Sequence, residues 1–267
     1  MAENTKISWA THTFNPWIGC QKVGPACDGC YAEEMDQRWW GGSHWGPHAE
    51  RKRTAPANWR PPLKWERQAI LTGDRPRVFC LSLGDWADTA VPLRWQLDLA
   101  ADVIVPTPHL DWLLLTKRIG NAPAMLRAMF PVGVPKNVWI GITVANQAEA
   151  DRDIPRLLTL KRVWGISIVF LSVEPMLGPI VLRPEWLAGL DWILCGGGSG
   201  RCRERLPLSW PRALLEQTRG TDCAFHMKQL AEVEYPKTFR QFDLFPADLR
   251  VRELPLAARA EPQGASA

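Results

Sequence analysis

Six apolar runs constrain this chain most: residues 78–83, 112–116, 138–143, 168–173, 191–195 and 223–227. None shows the polar alternation of a strand with one wet face. Strands buried on both faces belong to parallel sheets covered by helices. Helical patterns fall between them. Residues 92–105 carry an apolar face of Leu93, Leu97, Ala100, Ala101 and Ile104, with Pro92 near the first turn. Residues 122–129 form the next. Asn146 with Glu149 then makes a cap, before a segment that Pro155 is expected to break into two pieces. Ser209 caps a last helix and Gly220 ends it. An earlier strand is expected over residues 13–18. The chain is therefore read as α/β, a partial (β/α) barrel of six to seven mainly parallel strands. An open doubly wound sheet is the runner-up, because periodicity does not separate the two.

With 267 residues, 46% of them hydrophobic and 22% charged, the chain can bury one large core. One domain is expected over residues 1–255, followed by a low-complexity, disordered tail at 256–267. No apolar run approaches the roughly 18 residues of a membrane span, so no membrane contact is expected. The opening MAENTKISWA has neither a basic nor an apolar leader region, which points to the cytoplasm. In that reducing compartment its seven cysteines are thiols or metal ligands.

Three of those cysteines stand together. Cys20, Cys27 and Cys30 are spaced C-x6-C-x2-C, with Gly19, Gly24, Gly29 and Pro25 supplying turns. A closed structural zinc site takes four protein ligands, whereas three leave a coordination position for chemistry. A helix follows Cys30, in which Tyr31, Met35 and Trp39 recur at i, i+4 and i+8 as an inward stripe, stopped by Gly41 and Gly42. Residues 41–63 then read as an irregular, basic, Trp-rich insertion. Arg51, Lys52, Arg53, Arg60, Lys64 and Arg67 lie among or beside Trp39, Trp40, Trp45, Trp59 and Trp65. Cations with flat aromatic faces grip nucleic acid or nucleotides. The alternative is a solvated basic loop whose tryptophans pack on the body, in a chain with fifteen of them.

In β/α folds ligands sit outside the carboxyl ends of the strands. Polar residues collect there: Asp85 and Asp88, then Lys117 and Arg118, then Thr143 and Asn146, Ser172 and Glu174, the run Gly196–Gly200, and Lys228 with Gln229. Asp85 and Asp88 could instead cap a helix. Glu174 needs a partner, which a ligand cation, a ribose hydroxyl or Lys228 would each supply. The glycine run fits neither a dinucleotide fingerprint nor a P-loop. Cys80, Cys195 and Cys223 read as core, and Cys202 as a loop thiol. His12 is either a fourth metal ligand or a surface residue, His44 and His48 are solvated, and His226 can face either way.

The segments SWATHTFNPWIGCQKVGPACDGCYAEEMDQR, VFCLSLGDWAD, LLLTKR, NVWIGITVANQAEADRDIPRLL, FLSVEPMLGP, DWILCGGGSG and FHMKQ resemble the phage-associated three-Cys-motif family, regarded as akin to radical S-adenosylmethionine proteins. The resemblance runs in order from Ser8 to Gln229. It implies a radical-enzyme half-barrel in which Cys20, Cys27 and Cys30 hold a 4Fe-4S cluster whose open iron binds S-adenosylmethionine. One electron would cleave that cofactor to a 5'-deoxyadenosyl radical. Asp85, Lys117, Ser172 and Glu174, with Gly196 and Gly197, are the cofactor-binding residues it implies. The resemblance also implies a phage or bacterial-host setting and a nucleic acid or nucleotide substrate. This chain departs from the family at Gly198, where relatives carry Glu, and from other radical enzymes in its six-residue first gap.

Two other readings stand beside the enzyme. One is a zinc-stabilised, non-catalytic nucleic-acid-binding module completed by His12 or water. The other is a cluster-bearing subunit that acts with a partner protein encoded nearby.

Overall fold

A computed structural model describes residues 2–199, 205–231 and 240–258. In chain order its elements are β1 (His12–Phe14), β2 (Trp17–Ile18), α1 (Tyr31–Trp40), β3 (Lys52–Arg53), α2 (Pro61–Thr72), β4 (Arg77–Cys80), α3 (Leu93–Leu99) and β5 (Asp111–Thr116). There follow α4 (Ala122–Met129), β6 (Val138–Thr143), α5 (Gln147–Trp164), β7 (Val169–Val173), α6 (Pro184–Leu187), β8 (Trp192–Gly196), α7 (Ser209–Thr218) and β9 (Ala224–Gln229). Seven strands form one sheet in the order β1-β4-β5-β6-β7-β8-β9, and every neighbouring pair is parallel. Spatial order follows chain order without the reversal that defines a doubly wound sheet, so the sheet curls into a half-barrel flanked by helices.

Side chains alternate between the two faces of each strand. On the outer face Val78, Leu114, Ile140, Leu171, Ile193 and Phe225 meet the helices through Leu99, Leu126, Ile154, Leu157 and Leu214. On the inner face the register aligns Leu115, Gly141, Phe170, Trp192 and Ala224 across five strands. With Phe79, Leu113 and Trp139 these residues make an aromatic plug. The next inward row, nearer the carboxyl ends, is Thr143, Ser172, Leu194 and His226. The interior thus changes from aromatic to polar along the strands.

The N-terminal segment spans the open side. Ala2 pairs with Thr13 on one edge of the sheet, and the hydroxyl of Ser8 lies 2.8 Å from Nε2 of His226 on the other. Between them Trp9 drops into the plug, 4.6 Å from Phe79 between ring centroids. The edge of β9 is covered by residues 251–253, with the Met227 N–H donating to the Val251 carbonyl at 2.8 Å and Glu253 to Phe225 at 2.9 Å.

Several elements differ from their sequence expectation. Residues 13–18 are two strands, because Pro16 cannot donate to the sheet ladder and β2 turns away to pair antiparallel with β3. The strand expected at 78–83 stops at Cys80, where Leu81 takes a left-handed φ of 70°. The helix expected over 92–105 becomes a π-type turn over Ala100–Ile104, whose wider winding shifts the inward face to Gln96, Leu99, Ala100, Val103 and Ile104 and leaves Leu93 and Ala101 exposed. Pro155 does not break α5, since it and Asp151 both lie on the exposed face, where water can satisfy the carbonyl that loses its donor. Ser209 is the first helical residue and Leu208 takes the cap position. The insertion is less irregular than its composition implies, because it contains β3 and runs into α2, started by Pro61 and Pro62. In the expected tail, Leu256–Ala258 forms a helical turn, and 259–267 lie outside the described residues, as do Gly200 and Cys202.

Two predictions test the interior. A Cβ on Gly141 would stand 2.3 Å from the ring of fully buried Phe170. Gly141→Ala should therefore cost about 1–3 kcal/mol in urea unfolding, and an unchanged midpoint would show that the ring moves freely. His226 is 3% exposed, and whichever tautomer it adopts, Nδ1 has no hydrogen-bond partner among the described residues. Burial first, then Arg252, Arg77 and Lys228, lowers its pKa from 6.5 to about 3. The folded state stays neutral while the unfolded state takes up a proton, so stability is lost as pH falls from 6.5 toward 3, with a slope of up to roughly 1.4 kcal/mol per pH unit. Stability measured against pH should flatten over this window in His226→Gln.

Candidate functional site

At the carboxyl ends of the strands the half-barrel opens into a cavity of about 860 Å³, within the range of small-molecule sites. The cysteine loop forms one wall. Gly19 leaves β2 with φ 114°, and a Cβ there would meet the His44 carbonyl oxygen at 2.5 Å, so the approach requires glycine. Cys20 pairs with Trp45 through a bridge in which Gly46 N–H donates to the Cys20 carbonyl at 2.9 Å. Cys27 ends a short turn over Pro25–Cys27, and Cys30 is the residue that caps α1. All three cysteines line the cavity, and none is in a disulfide. Among the described residues no three His, Cys, Asp or Glu side chains converge closely enough to hold a metal ion.

Asp85, expected to bind cofactor, is occupied by the fold. It is 4% exposed, and Oδ1 accepts from the Thr116 hydroxyl at 2.7 Å and the Ala87 N–H at 2.9 Å. Oδ2 accepts from the Lys117 N–H at 3.1 Å and from Arg118 Nη1 at 2.8 Å. Arg118 reaches on to Cys20, with both terminal nitrogens 3.4 Å from the sulfur, and to the Gln21 carbonyl at 2.9 Å. Burial, then the nearby Asp85 carboxylate, pushes the Cys20 thiol up to about 11 against the pull of Arg118. Asp88 is likewise committed, receiving Nε of buried Arg51 at 2.8 Å, while Nη1 of Arg51 donates to the carbonyls of His44, Gly46 and Ala49.

Lys117, Ser172 and Glu174 line the same cavity with the cysteines. Lys117 is half-buried, and no ion pair or hydrogen bond engages its ammonium among the described residues. Ser172 stands beside Thr143, whose buried hydroxyl has no partner among the described residues. Glu174 finds the partner its position demands, accepting from Lys228 Nζ and from Gln229 Nε2 at 3.1 Å. Gly196 and Gly197 lie behind the cavity wall. Cβ atoms on them would meet the Gln229 carbonyl oxygen at 3.1 Å and the Ala231 Cβ at 2.3 Å, so both are small for packing against the end of β9.

The stripe Tyr31, Met35, Trp39 does not face the core. It lines the cavity, while Ala32 and Asp36 are the buried residues of α1. Asp36 fixes His44, whose Nδ1 is 2.7 Å from its carboxylate, so His44 is not simply solvated. His12 is neither a metal ligand nor a surface residue. It stacks on Trp65 at 4.2 Å between centroids, accepts from the Asn4 N–H at 3.2 Å, and sits at the opposite end of β1 from the cysteines. Of the six cations read there, Arg51 pairs with Asp88, Arg53 with Asp98 at 2.6 Å and Lys64 with Glu3 at 3.2 Å, Lys52 lies over the Trp40 ring, and no ion pair engages Arg60 or Arg67 among the described residues. Trp59 and Trp65 pack on the body, as the alternative reading expects.

A family model for proteins of unknown function, DUF5131, matches residues 4–248. The chain belongs to the DUF5131 family. No curated protein and no solved structure matches it.

In this DUF5131 chain the donor set fits an iron–sulfur group in kind, being three thiols on one wall with a guanidinium against one sulfur to offset thiolate charge. The intervening loop is held mainly by its own turns, with Cys27 N–H donating to Gly24 and Asp28 N–H to Pro25, so drawing the sulfurs together is a local change. The ion pair beneath them is rigid, Arg118 and Asp85 being 7% and 6% exposed at the side chain. Asp85→Asn strands the guanidinium and should cost about 3–5 kcal/mol in chemical unfolding. A loss of under ~1 kcal/mol would mean that the pair is not the support described.

Proposed function

We propose that this chain is an iron–sulfur enzyme of the radical S-adenosylmethionine type, close to the phage-associated three-Cys-motif proteins and working in the cytoplasm of a bacterial host. The observation that carries the proposal is the placing of Cys20, Cys27 and Cys30 on one cavity at the carboxyl ends of a parallel half-barrel, where the polar residues of successive strands also collect. In this reading the three cysteines hold a 4Fe-4S cluster and leave one iron for the cofactor. The chemistry such a cluster supplies is one-electron reductive cleavage of S-adenosylmethionine.

The chain's own residues divide into two kinds. Lys117 offers an ammonium free of ion pairs among the described residues, and Thr143 and Ser172 offer hydroxyls from adjacent strands, a set of donors suited to the carboxylate and ribose of the cofactor. Asp85 is a positioning residue, holding Arg118 against Cys20. Glu174 keeps Lys228 and Gln229 in place on the far wall and remains within reach of a ligand. The substrate is proposed to be a nucleic acid or nucleotide.

Anaerobic reconstitution with iron and sulfide should yield about four irons per chain, and Cys→Ser at any of the three positions should lose most of them, whereas Cys80→Ser in the core should not. The paramagnetic resonance signal of the reduced protein should change on adding S-adenosylmethionine. One zinc per chain, no iron and no response to the cofactor would sink the proposal.

A further inference from the structure

We infer that the mouth of the cavity binds a nucleotide unit, with its base on Trp39 and its phosphate on Arg38, so that α1 rather than the basic insertion recognises the substrate. The inference rests on the cavity being the reaction site, and it names the substrate class of that site from the chemistry of its rim.

The first observation is aromatic. Trp39 is 56% exposed although it lies on a helix that could have turned it inward, and it lines the cavity together with Met35 from the turn before. Trp45 contributes to the same lining from the loop whose backbone is tied to Cys20. Trp40, edge-on to Trp39 at 5.6 Å between centroids, supports it from behind. An exposed indole on a rigid helix at a cavity rim is a stacking platform that takes any base.

The second observation is charge. Four acidic residues, Asp28, Glu34, Asp85 and Glu174, line the cavity against seven cations, and Asp85 and Glu174 are neutralised by Arg118 and Lys228 and Asp28 by Lys22. Lys6, Arg38 and Lys117 also line the cavity, and no ion pair engages them among the described residues. The excess is positive, which favours an anionic ligand and disfavours a purely apolar one. Arg38 adjoins Trp39 on the same helix, so one ligand can meet a cation and an aromatic face together. A base joined to a phosphate meets both demands, and that unit can come from a free nucleotide or from a single strand.

Full-length protein should be titrated against fluorescently labelled single-stranded DNA and RNA, with nucleoside monophosphates as competitors. Trp39→Ala should weaken binding about tenfold or more, and Trp39→Phe should restore most of it. Arg38→Ala should reduce the slope of log affinity against log salt by about 0.7. Both side chains are exposed, and circular dichroism checks that the variants fold. Competition by monophosphates at the strength of the labelled strand identifies a free nucleotide, and competition by strands alone identifies a nucleic acid. Absence of binding by every probe, or wild-type affinity in both variants, overturns the inference. So does loss of a copurifying protein in Trp39→Ala with strand binding unchanged, which would mark a protein-docking face. Iron counted on the same preparations keeps the two proposals apart: binding without iron fails the cofactor reading alone, and iron without binding fails this one alone.

Discussion

Parallel strands held in register are the constraint on which everything else in this molecule depends. Because neighbouring strands start and end together, residues at equivalent positions form level rows inside the half-barrel. The row through Gly141, Phe170 and Trp192 is aromatic, and the row through Thr143 and Ser172 is polar. The lower row packs only because Gly141 leaves its space to the Phe170 ring. Trp9, brought in by the segment that crosses the open side, completes the same layer. A filled base and a hollow top follow from one register, and a slip of one residue would turn both rows over to the helices.

Desolvation then decides what the polar residues at the top can do. A charge at the end of a buried strand is costly unless it is paired, and each carboxylate here is paired by an element distant in sequence. Asp85 after β4 meets Arg118 after β5, Asp88 meets Arg51 from the insertion, and Glu174 after β7 meets Lys228 on β9. These pairs fasten neighbouring strand ends and the cysteine loop to one another. The groups left with capacity for a ligand are the donors, Lys117 and the hydroxyls of Thr143 and Ser172, together with the thiols. The donors thus lie on the strand side of the cavity and the thiols on the loop side.

The strands were legible because burial on both faces leaves an unmistakable apolar run, and α4 and β6 match their sequence expectation residue for residue. The cysteine loop was legible as a unit because three thiols fall within eleven residues among turn-forming glycines, and all three line the cavity. What periodicity cannot report is what a face looks toward. The Tyr31, Met35, Trp39 stripe has the spacing of a core face yet lines the cavity, and the true buried residues of α1 include Asp36, a charge that no hydropathy pattern selects. That Arg51, Arg53 and Lys64 are paired was not legible, because their partners, Asp88, Asp98 and Glu3, lie far away in sequence. Asp85 and Glu174 were correctly placed at the cavity, but their engagement with Arg118 and Lys228 depends on which strand ends become neighbours. Gly196 and Gly197 were visible as a flexible run, and only the fold shows that β9, not a ligand, occupies the space they leave.

The two sides of the cavity are unequal, and the inequality bears on how it works. On the side of β8 the lining includes Gly198, which has no side chain. On the opposite side α1 offers Met35, Arg38 and Trp39 from a helix whose first residue follows Cys30 directly. Any movement that draws Cys30 toward Cys20 and Cys27 must therefore act on the N-terminus of α1, and through that helix on the rim. Asp36 limits how far the helix can go, because its carboxylate binds both the backbone and the ring of His44, and the 44–46 loop is in turn bonded to Cys20. Loop, helix and rim thus form one closed circuit of contacts. A displacement of the thiols is therefore transmitted through α1 to the aromatic rim.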